Sequence, residues 1–445
     1  MGIYKQNLRY LPPCKLIFTG IILGFWLSFD FFHLVQAETT RWQRNLEILG
    51  GDENSTTDIT PEKSNEPSIL KEFPPNPLEI IVPDPLLPDL KKPLNAEEKR
   101  DLKTKLDQLN LEANQQLQLG NIIAAFDIWN REIRLRRALG TKAELEALGR
   151  VGQFAWEKNQ TTEVRYINER LQTIQKDILS QKLGETQTPE KRKDLLMDLG
   201  MAYRQIRSRD LAVGVYQQIV AMARENQDLN LLETTLNTIG DLHLNWFDYP
   251  QAVATYRELL VIAQNQGDRL KEINYLKQLI YLHDRARKAQ EALDTKLMLA
   301  SVYLDQKQLV LVPPLQIAIA ADYMTINQLN QAAKTYQDAY ALAWSLQQYN
   351  YASEALQKLA NLYKSRNQTP AALQVYQILL DVEQRSYNVY GLMNAYDQIG
   401  KIYQSRQAYP QALSAFQNGL NLAKKLGYRE DYFINQIQQV NQGGK

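Results

Sequence analysis

Residues 396–416 read YDQIGKIYQSRQAYPQALSAF, and residues 236–256 read LNTIGDLHLNWFDYPQAVATY. Laid over each other, the two segments share Ile-Gly near one end, Tyr-Pro-Gln-Ala near the other and a ring at the last position. Ala252 and Ala412 belong to a column of six alanines, with Ala212, Ala292, Ala332 and Ala372, each forty residues from the next. Four residues after each comes a bulky side chain: Tyr216, Tyr256, Lys296, Tyr336, Tyr376 and Phe416. Twelve residues before each stands Gly200, Gly240, Ile280, Ala320, Ala360 or Gly400, and three further on a ring, Tyr203, His243, His283, Tyr323, Tyr363 or Tyr403. Four columns in phase are the mark of a stacked-repeat protein.

Within each unit the spacing is helical. Leu196, Leu199, Gly200 and Tyr203 fall on one stripe of an i, i+3, i+4, i+7 pattern, and Ala212, Tyr216, Ile219 and Ala223 on a second. Short polar turns separate the stripes, as at Ser208 to Asp210, and the prolines at 250, 370 and 410 suit a first helical turn, where a missing N–H costs nothing. Each unit therefore reads as helix–turn–helix, with the alanine column where two backbones approach.

These columns resemble the tetratricopeptide repeat (TPR) family. Leu236, Ile239, Gly240, His243, Ala252 and Tyr256 carry the resemblance, as do Tyr396, Ile399, Gly400, Tyr403, Ala412 and Phe416. The commonest TPR unit is about 34 residues, so this chain is similar to a 40-residue variety with longer helices. HEAT and armadillo units have a comparable period and lack this column set. The resemblance implies an all-α, right-handed TPR-type solenoid of about eight helix–turn–helix units with a C-terminal capping helix.

The rest of the chain follows from this centre. Residues 1–37 hold basic Lys5, Arg9 and Lys15, then an apolar run from Leu16 to Val35, then Val35-Gln36-Ala37 as a small-residue cleavage site. A cleaved export signal and an uncleaved membrane anchor at residues 16–35 are both compatible with that pattern. Residues 38–95, rich in proline from Pro67 to Pro93, are expected to form a disordered tether, with Pro83 to Leu94 docking on the first repeat. Two divergent TPR-like units are expected over 96–187, marked by Ala113, Gly120, Ala125 and Trp129 and then by Gly152, Ala155 and Val164. The extra residues near Gly184 to Thr188 suggest a joint before the six regular units of 188–426. Residues 427–445 read as a capping helix, with apolar Phe433, Ile434, Ile437 and Val440, and a fraying tail.

Composition narrows function. A formal net charge of +1 over 445 residues argues against nucleic acid as the main partner. Cys14 is the only cysteine, which excludes a disulfide framework and cysteine metal sites. No phosphate-cradling glycine loop, Gly-x-Ser-x-Gly or His-Glu-x-x-His pattern occurs. His243 and His283 fall in the ring column and are expected to pack between helices, as are the column tyrosines. No catalytic residue, metal or cofactor is expected, and membrane contact only through residues 1–37 if they are not removed.

The TPR resemblance implies that first helices of successive units line a groove for a peptide or partner helix. Its groove positions, carried onto this chain, give Met201 and Arg204 in the first regular unit, Asn237 and Asp241 in the second, and Asn274, Lys277 and Tyr281 in the third. They continue with Ile317 and Met324, then Asn361 and Lys364, then Asn394 and Lys401. The asparagines can hydrogen-bond a peptide backbone with donor and acceptor, and the lysines can meet carboxylates. The chaperone-type carboxylate clamp of the family is not reproduced. The apolar turn Leu309 to Pro314 with Ile317 and Met324 makes the most hydrophobic part of this surface.

The expected function is a non-catalytic, extracytoplasmic scaffold that binds protein segments. A signal and proline-rich leader on a Gln-rich TPR chain look like those of exported cyanobacterial proteins. That likeness would imply the periplasm or thylakoid lumen and assembly of envelope or photosynthetic complexes. A self-associating structural spacer and a cell-wall or protein-processing enzyme are the competing readings.

Overall fold

The computed structural model describes residues 75–87, 94–184 and 188–443. The reading of residues 1–37 as signal or anchor, and most of the tether, lies outside them. Among the described residues there are 17 α-helices and no strand beyond one isolated bridge between Asp84 and Leu87. They are α1 (Ala96–Gln118), α2 (Ile122–Arg136), α3 (Thr141–Glu157), α4 (Thr161–Leu179), α5 (Pro189–Gln205), α6 (Arg209–Glu225), α7 (Leu229–Asn245), α8 (Tyr249–Gln266) and α9 (Arg269–Arg285). The chain continues with α10 (Ala289–Asp305), α11 (Val312–Thr325), α12 (Leu329–Ser345), α13 (Tyr349–Ser365), α14 (Thr369–Arg385), α15 (Val389–Ser405), α16 (Tyr409–Leu426) and α17 (Glu430–Gly443). Each helix packs on the next along the chain, which makes eight antiparallel pairs and a final single helix: a TPR-like helical solenoid. No described helix is long and apolar enough to cross a membrane.

The columns explain the stacking. Ala212, Ala252, Ala332, Ala372 and Ala412 are fully buried, and Ala292 nearly so. The glycine and ring columns interlock: a Cβ at Gly200 would lie 2.8 Å from the Tyr216 ring, one at Gly240 3.0 Å from Tyr256, and one at Gly400 2.5 Å from Phe416. The second helix of each such unit thus drives its ring onto bare backbone of the first. At the unit where Ile280 replaces glycine, Lys296 replaces the ring. The ammonium is buried yet paired, 3.1 Å from Asp284 and 2.8 Å from Asp322. Around it the apolar core divides, one cluster closing at Val312 and the next opening at Ile317. His243 and His283 are buried in the ring column, as their position implies.

The joints repeat at half the sequence period. Nine of the twelve helices from α5 to α16 are 17 residues long. The residue that turns the chain has positive φ at Arg207, Gln227, Phe247, Gly267, Arg287 and Lys307, each twenty residues from the last. The series runs on through Asn327, Gln347, Asn367, Tyr387, Gln407 and Gly427. Each is a helix C-terminal motif: after α5, Ser208 N–H donates to Tyr203 C=O and Arg207 N–H to Arg204 C=O, satisfying carbonyls the helix leaves free. The shorter α11 fits the same frame because a 3₁₀ turn, Leu309–Leu311, fills the missing positions. Pro313 and Pro314 have no N–H to bond the carbonyls of Leu309 and Val310, so α-helix cannot begin earlier.

The N-terminal end corrects the tether expectation. Residues 75–87 are ordered against the first units instead of forming part of a disordered linker, and the docking begins before Pro83. Leu78 is fully buried in the same core as Trp129 and Tyr166, and Leu87 packs with Leu102, Leu106 and Leu135. Asp84 accepts two bonds from Arg131, at 2.7 and 2.9 Å, while Arg134 and Arg137 donate to the carbonyls of Pro77 and Leu78. Two buried leucines and three arginine anchors outweigh the extended preference of the prolines. Ile80, Ile81 and Val82 stay exposed between them. From Leu78 to Val312 one core runs through the divergent and regular units alike, and α3 packs on α5 across the place where a joint was expected.

Candidate functional site

Two niches open on the face formed by first helices, and they are copies of each other three units apart. One, of about 400 Å³, lies between α7 and α9 and is lined by Asn237, Asp241, Asn274, Tyr275 and Gln278, with Tyr256 of α8 behind them. The other, of about 220 Å³, lies between α13 and α15 and is lined by Gln357, Asn361, Asn394, Ala395 and Gln398, with Tyr376 of α14 behind. Every residue of the second set is 120 positions after its counterpart in the first. The period that builds the solenoid therefore also places the same amide chemistry twice.

The floor of each niche is the ring-column tyrosine. Tyr256 donates its hydroxyl to Asp241 at 2.9 Å, and Tyr376 donates to Asn361 at 3.3 Å. Burial raises both phenols, Tyr376 to about 12, so both remain protonated donors; at Tyr256 the Asp241 carboxylate adds to the rise. Asn237 is held by its own side chain, donating to the Glu233 carbonyl at 2.8 Å and to the Tyr275 hydroxyl at 3.0 Å. Tyr275 in turn donates to the buried Glu233 carboxylate at 2.8 Å, which Lys271 also reaches at 2.7 Å. This rigid wall leaves the Asn274 and Gln278 amides exposed, with no bond to another described residue.

The second niche keeps the layout of the first with different supporting side chains. Ser353 stands where Glu233 stands, Gly391 where Lys271 stands, and Ala395 where Tyr275 stands. Ser353 donates at 2.6 Å to Glu383, a fully buried carboxylate that also accepts from Asn388 and Gln357. Glu383 needs the bare backbone of Gly391, whose Cβ would fall on its carboxyl group. Asn394 accepts from Arg429 at 3.1 Å and Gln398 from Lys364 at 2.7 Å, which leaves their N–H groups turned to donation. The first niche thus offers whole amides and the second chiefly donors, a pairing suited to backbone carbonyl and N–H groups of an extended chain.

Five sequence-derived residues, Asn237, Asp241, Asn274, Asn361 and Asn394, come together in these niches. Lys364 reaches the rim through Gln398, and burial together with the nearby Lys401 charge pushes its ammonium pKa down. Lys401 is committed to Asp397 at 3.0 Å and lies over the Tyr432 ring; burial alone would lower it, and those two partners hold it above its ordinary value. Lys277 is exposed outside both niches, and Tyr281 carries the Arg285 guanidinium 5.2 Å above its ring. Met324 accepts a long 3.7 Å contact from the Tyr336 hydroxyl. Ile317 is a correction: its apolar side chain is buried in the core with Ala320 and Tyr336, so it presents nothing to a partner. Sequence reasoning missed Gln278, Gln398, Tyr256 and Tyr376 as lining residues. The forty-residue period in the tyrosines was visible, but their hydroxyl ends reach the niche only across a small residue of the first helix, Gly240 before Tyr256 and Ala360 before Tyr376.

No family model and no curated protein matches the chain. Among solved structures it is similar to BtubC (BKLC) from P. vanneervenii, at 16% identity, covering 49% of this chain and 92% of that one with a TM-score of 0.33. The apo form of RapI is similar at 11% identity, over 76% of this chain and 97% of that one, with a TM-score of 0.33. The TPR2AB domain of yeast Sti1, solved in complex with pHSP90, is similar at 13% identity over 77% and 99%, with a TM-score of 0.25. The likeness is one of fold and extends to no ligand.

Proposed function

We propose that the chain is a non-catalytic scaffold that holds extended protein segments along its first-helix face, with the two amide niches as anchor points. The observation that carries this reading is the duplication itself: seven lining positions recur at one spacing, each niche floored by a protonated tyrosine and walled by amides. Amides that can both donate and accept suit a peptide backbone, whose groups alternate in the same way. An exported location, in a periplasm or thylakoid lumen, belongs to the same proposal and rests on the pattern of residues 1–37. So does a role in assembling envelope or photosynthetic complexes.

A photo-crosslinking amino acid at Gln278 or Gln398 of the full chain, expressed in its own cells, tests the reading. The same partner should be captured from both positions and lost when Asn274→Ala and Asn394→Ala are combined. Capture no greater than from exposed Lys334, on the second helix α12, would sink it.

A further inference from the structure

Away from the niches, the C-terminal ends of three successive first helices, α3, α5 and α7, enclose a cleft of about 340 Å³. Its two walls are indoles from different units, Trp156 and Trp246, each nearly half exposed, with Met201 exposed between them. Arg204, Arg207 and Arg209 stand in the same cleft. The Arg207 guanidinium lies 4.9 Å over the Trp156 ring and that of Arg209 lies 5.9 Å from the Trp246 ring. Stacking of this kind fixes the plane of a guanidinium while leaving its N–H edge to face a ligand.

The three arginines differ in what they already hold. Arg209 is ion-paired with Asp210 at 2.8 Å and with Asp248 at 3.3 Å. Arg204 lies against the Tyr216 hydroxyl, and neither it nor Arg207 meets a carboxylate among the described residues, although acidic side chains are about as numerous as basic ones across the chain. Glu157, the acid on the rim, is engaged by the Gln153 amide at 2.8 Å. A single cation in the last turn answers the helix dipole of α5, and Arg204 supplies it. Arg207, one residue past the C-cap in the left-handed conformation, is surplus to that need. The cleft therefore combines positive charge that no carboxylate neutralises, at Arg204 and Arg207, with solvent-facing aromatic and thioether surface.

We propose that this cleft is the receptor for an acidic, apolar-flanked stretch of a partner polypeptide: an Asp or Glu side chain seated against Arg204 and Arg207, and its neighbouring apolar residue between Trp156 and Trp246. The proposal deepens the segment-binding reading and depends on it, because it fixes the charge of what the face accepts. A polyanion such as single-stranded nucleic acid fits less well. Asp210, Asp248 and Glu157 border the cleft, and the chain's near-neutral balance offers no basic track for a phosphate backbone to follow.

The test uses the full chain and an N-acetylated, C-amidated peptide of alternating Glu and Phe, followed by fluorescence anisotropy and by quenching of the two indoles. Binding should weaken about tenfold or more when Glu is replaced by Gln in the peptide, and equally in Arg204→Gln/Arg207→Gln. It should be insensitive to Asn274→Ala/Asn394→Ala, so loss of the niches and loss of this cleft are read separately. Arg207→Gln alone, at an exposed turn, keeps the test valid if the double variant misfolds. Equal affinity for the Glu and Gln peptides, or indifference to Arg207→Gln, overturns the proposal. Binding that needs a free C-terminal carboxylate, or that is displaced by inorganic phosphate or oligothymidylate at comparable concentration, overturns it in favour of those ligands.

Discussion

At the residue scale, shape matching between glycine and ring matters more than either residue type alone. Gly400→Ala would set a methyl group 2.5 Å from the Phe416 ring, and neither a packed ring nor helix backbone yields easily. We expect a loss of about 1–3 kcal/mol, read by urea unfolding, although alanine is the better helix former by roughly 1 kcal/mol. A gain in stability would mean that the ring column is loosely packed. The buried histidines make a second prediction. Burial lowers both, first of all at His243, where the Asp248 carboxylate 3.6 Å away only partly offsets it, and also at His283, beside Arg257. Below the ordinary value of 6.5 the unfolded chain takes up protons that the folded chain refuses, so stability falls as pH drops from there. Thermal unfolding of His243→Gln/His283→Gln compared with the parent at pH 7.5 and 5.8 checks this; the parent should lose more on acidification.

At the scale of elements, the sequence shows the forty-residue unit plainly and conceals the twenty-residue step inside it. The unit is legible because packing demands one residue type per column, alanine at 212 and 252 or rings at 216 and 256. The step is concealed because a left-handed turn residue points to solvent, so only its backbone is constrained, and Arg207, Phe247, Lys307 and Tyr387 all serve. The same logic limited the niches: Asn237 and Asn394 lie on the repeat and were legible, whereas Gln278 and Gln398 look like any solvated glutamine until the helices are placed. Bulky residues at these turns carry a backbone cost that glycine at 267 and 427 avoids. Tyr387, 91% exposed with φ of 56°, makes no side-chain hydrogen bond or ring contact with another described residue that would compensate. Tyr387→Gly should stabilise the protein by about 0.5–1 kcal/mol, seen as a higher thermal midpoint. An unchanged or lower midpoint would show that the tyrosine makes a stabilising contact in solution.

At the scale of the whole molecule, a stack in which each helix touches mainly its neighbours has stability that is local and has two ends to protect. The ends are covered in different ways. At the start, the extended segment with Leu78 and Leu87 closes the first pairs, a device hidden in the sequence because prolines surround two ordinary leucines. At the other end α17 repeats the interlock of the interior, pressing Phe433, fully buried, onto Gly419, while Tyr432 donates to Asp397 at 2.7 Å. Phe433→Ala should remove roughly 3–5 kcal/mol from this cap. Because coupling passes only from neighbour to neighbour, the loss should appear as faster amide hydrogen exchange in α15 to α17, with α5 to α9 unchanged. The niche between α13 and α15 depends on this end, since Arg429 holds Asn394 and Asp397, whereas the niche between α7 and α9 does not. The variant should therefore weaken crosslinking from Gln398 and spare that from Gln278. Uniform acceleration of exchange along the chain would mean that the solenoid unfolds as one cooperative body, and the independence of the two niches would be lost with it.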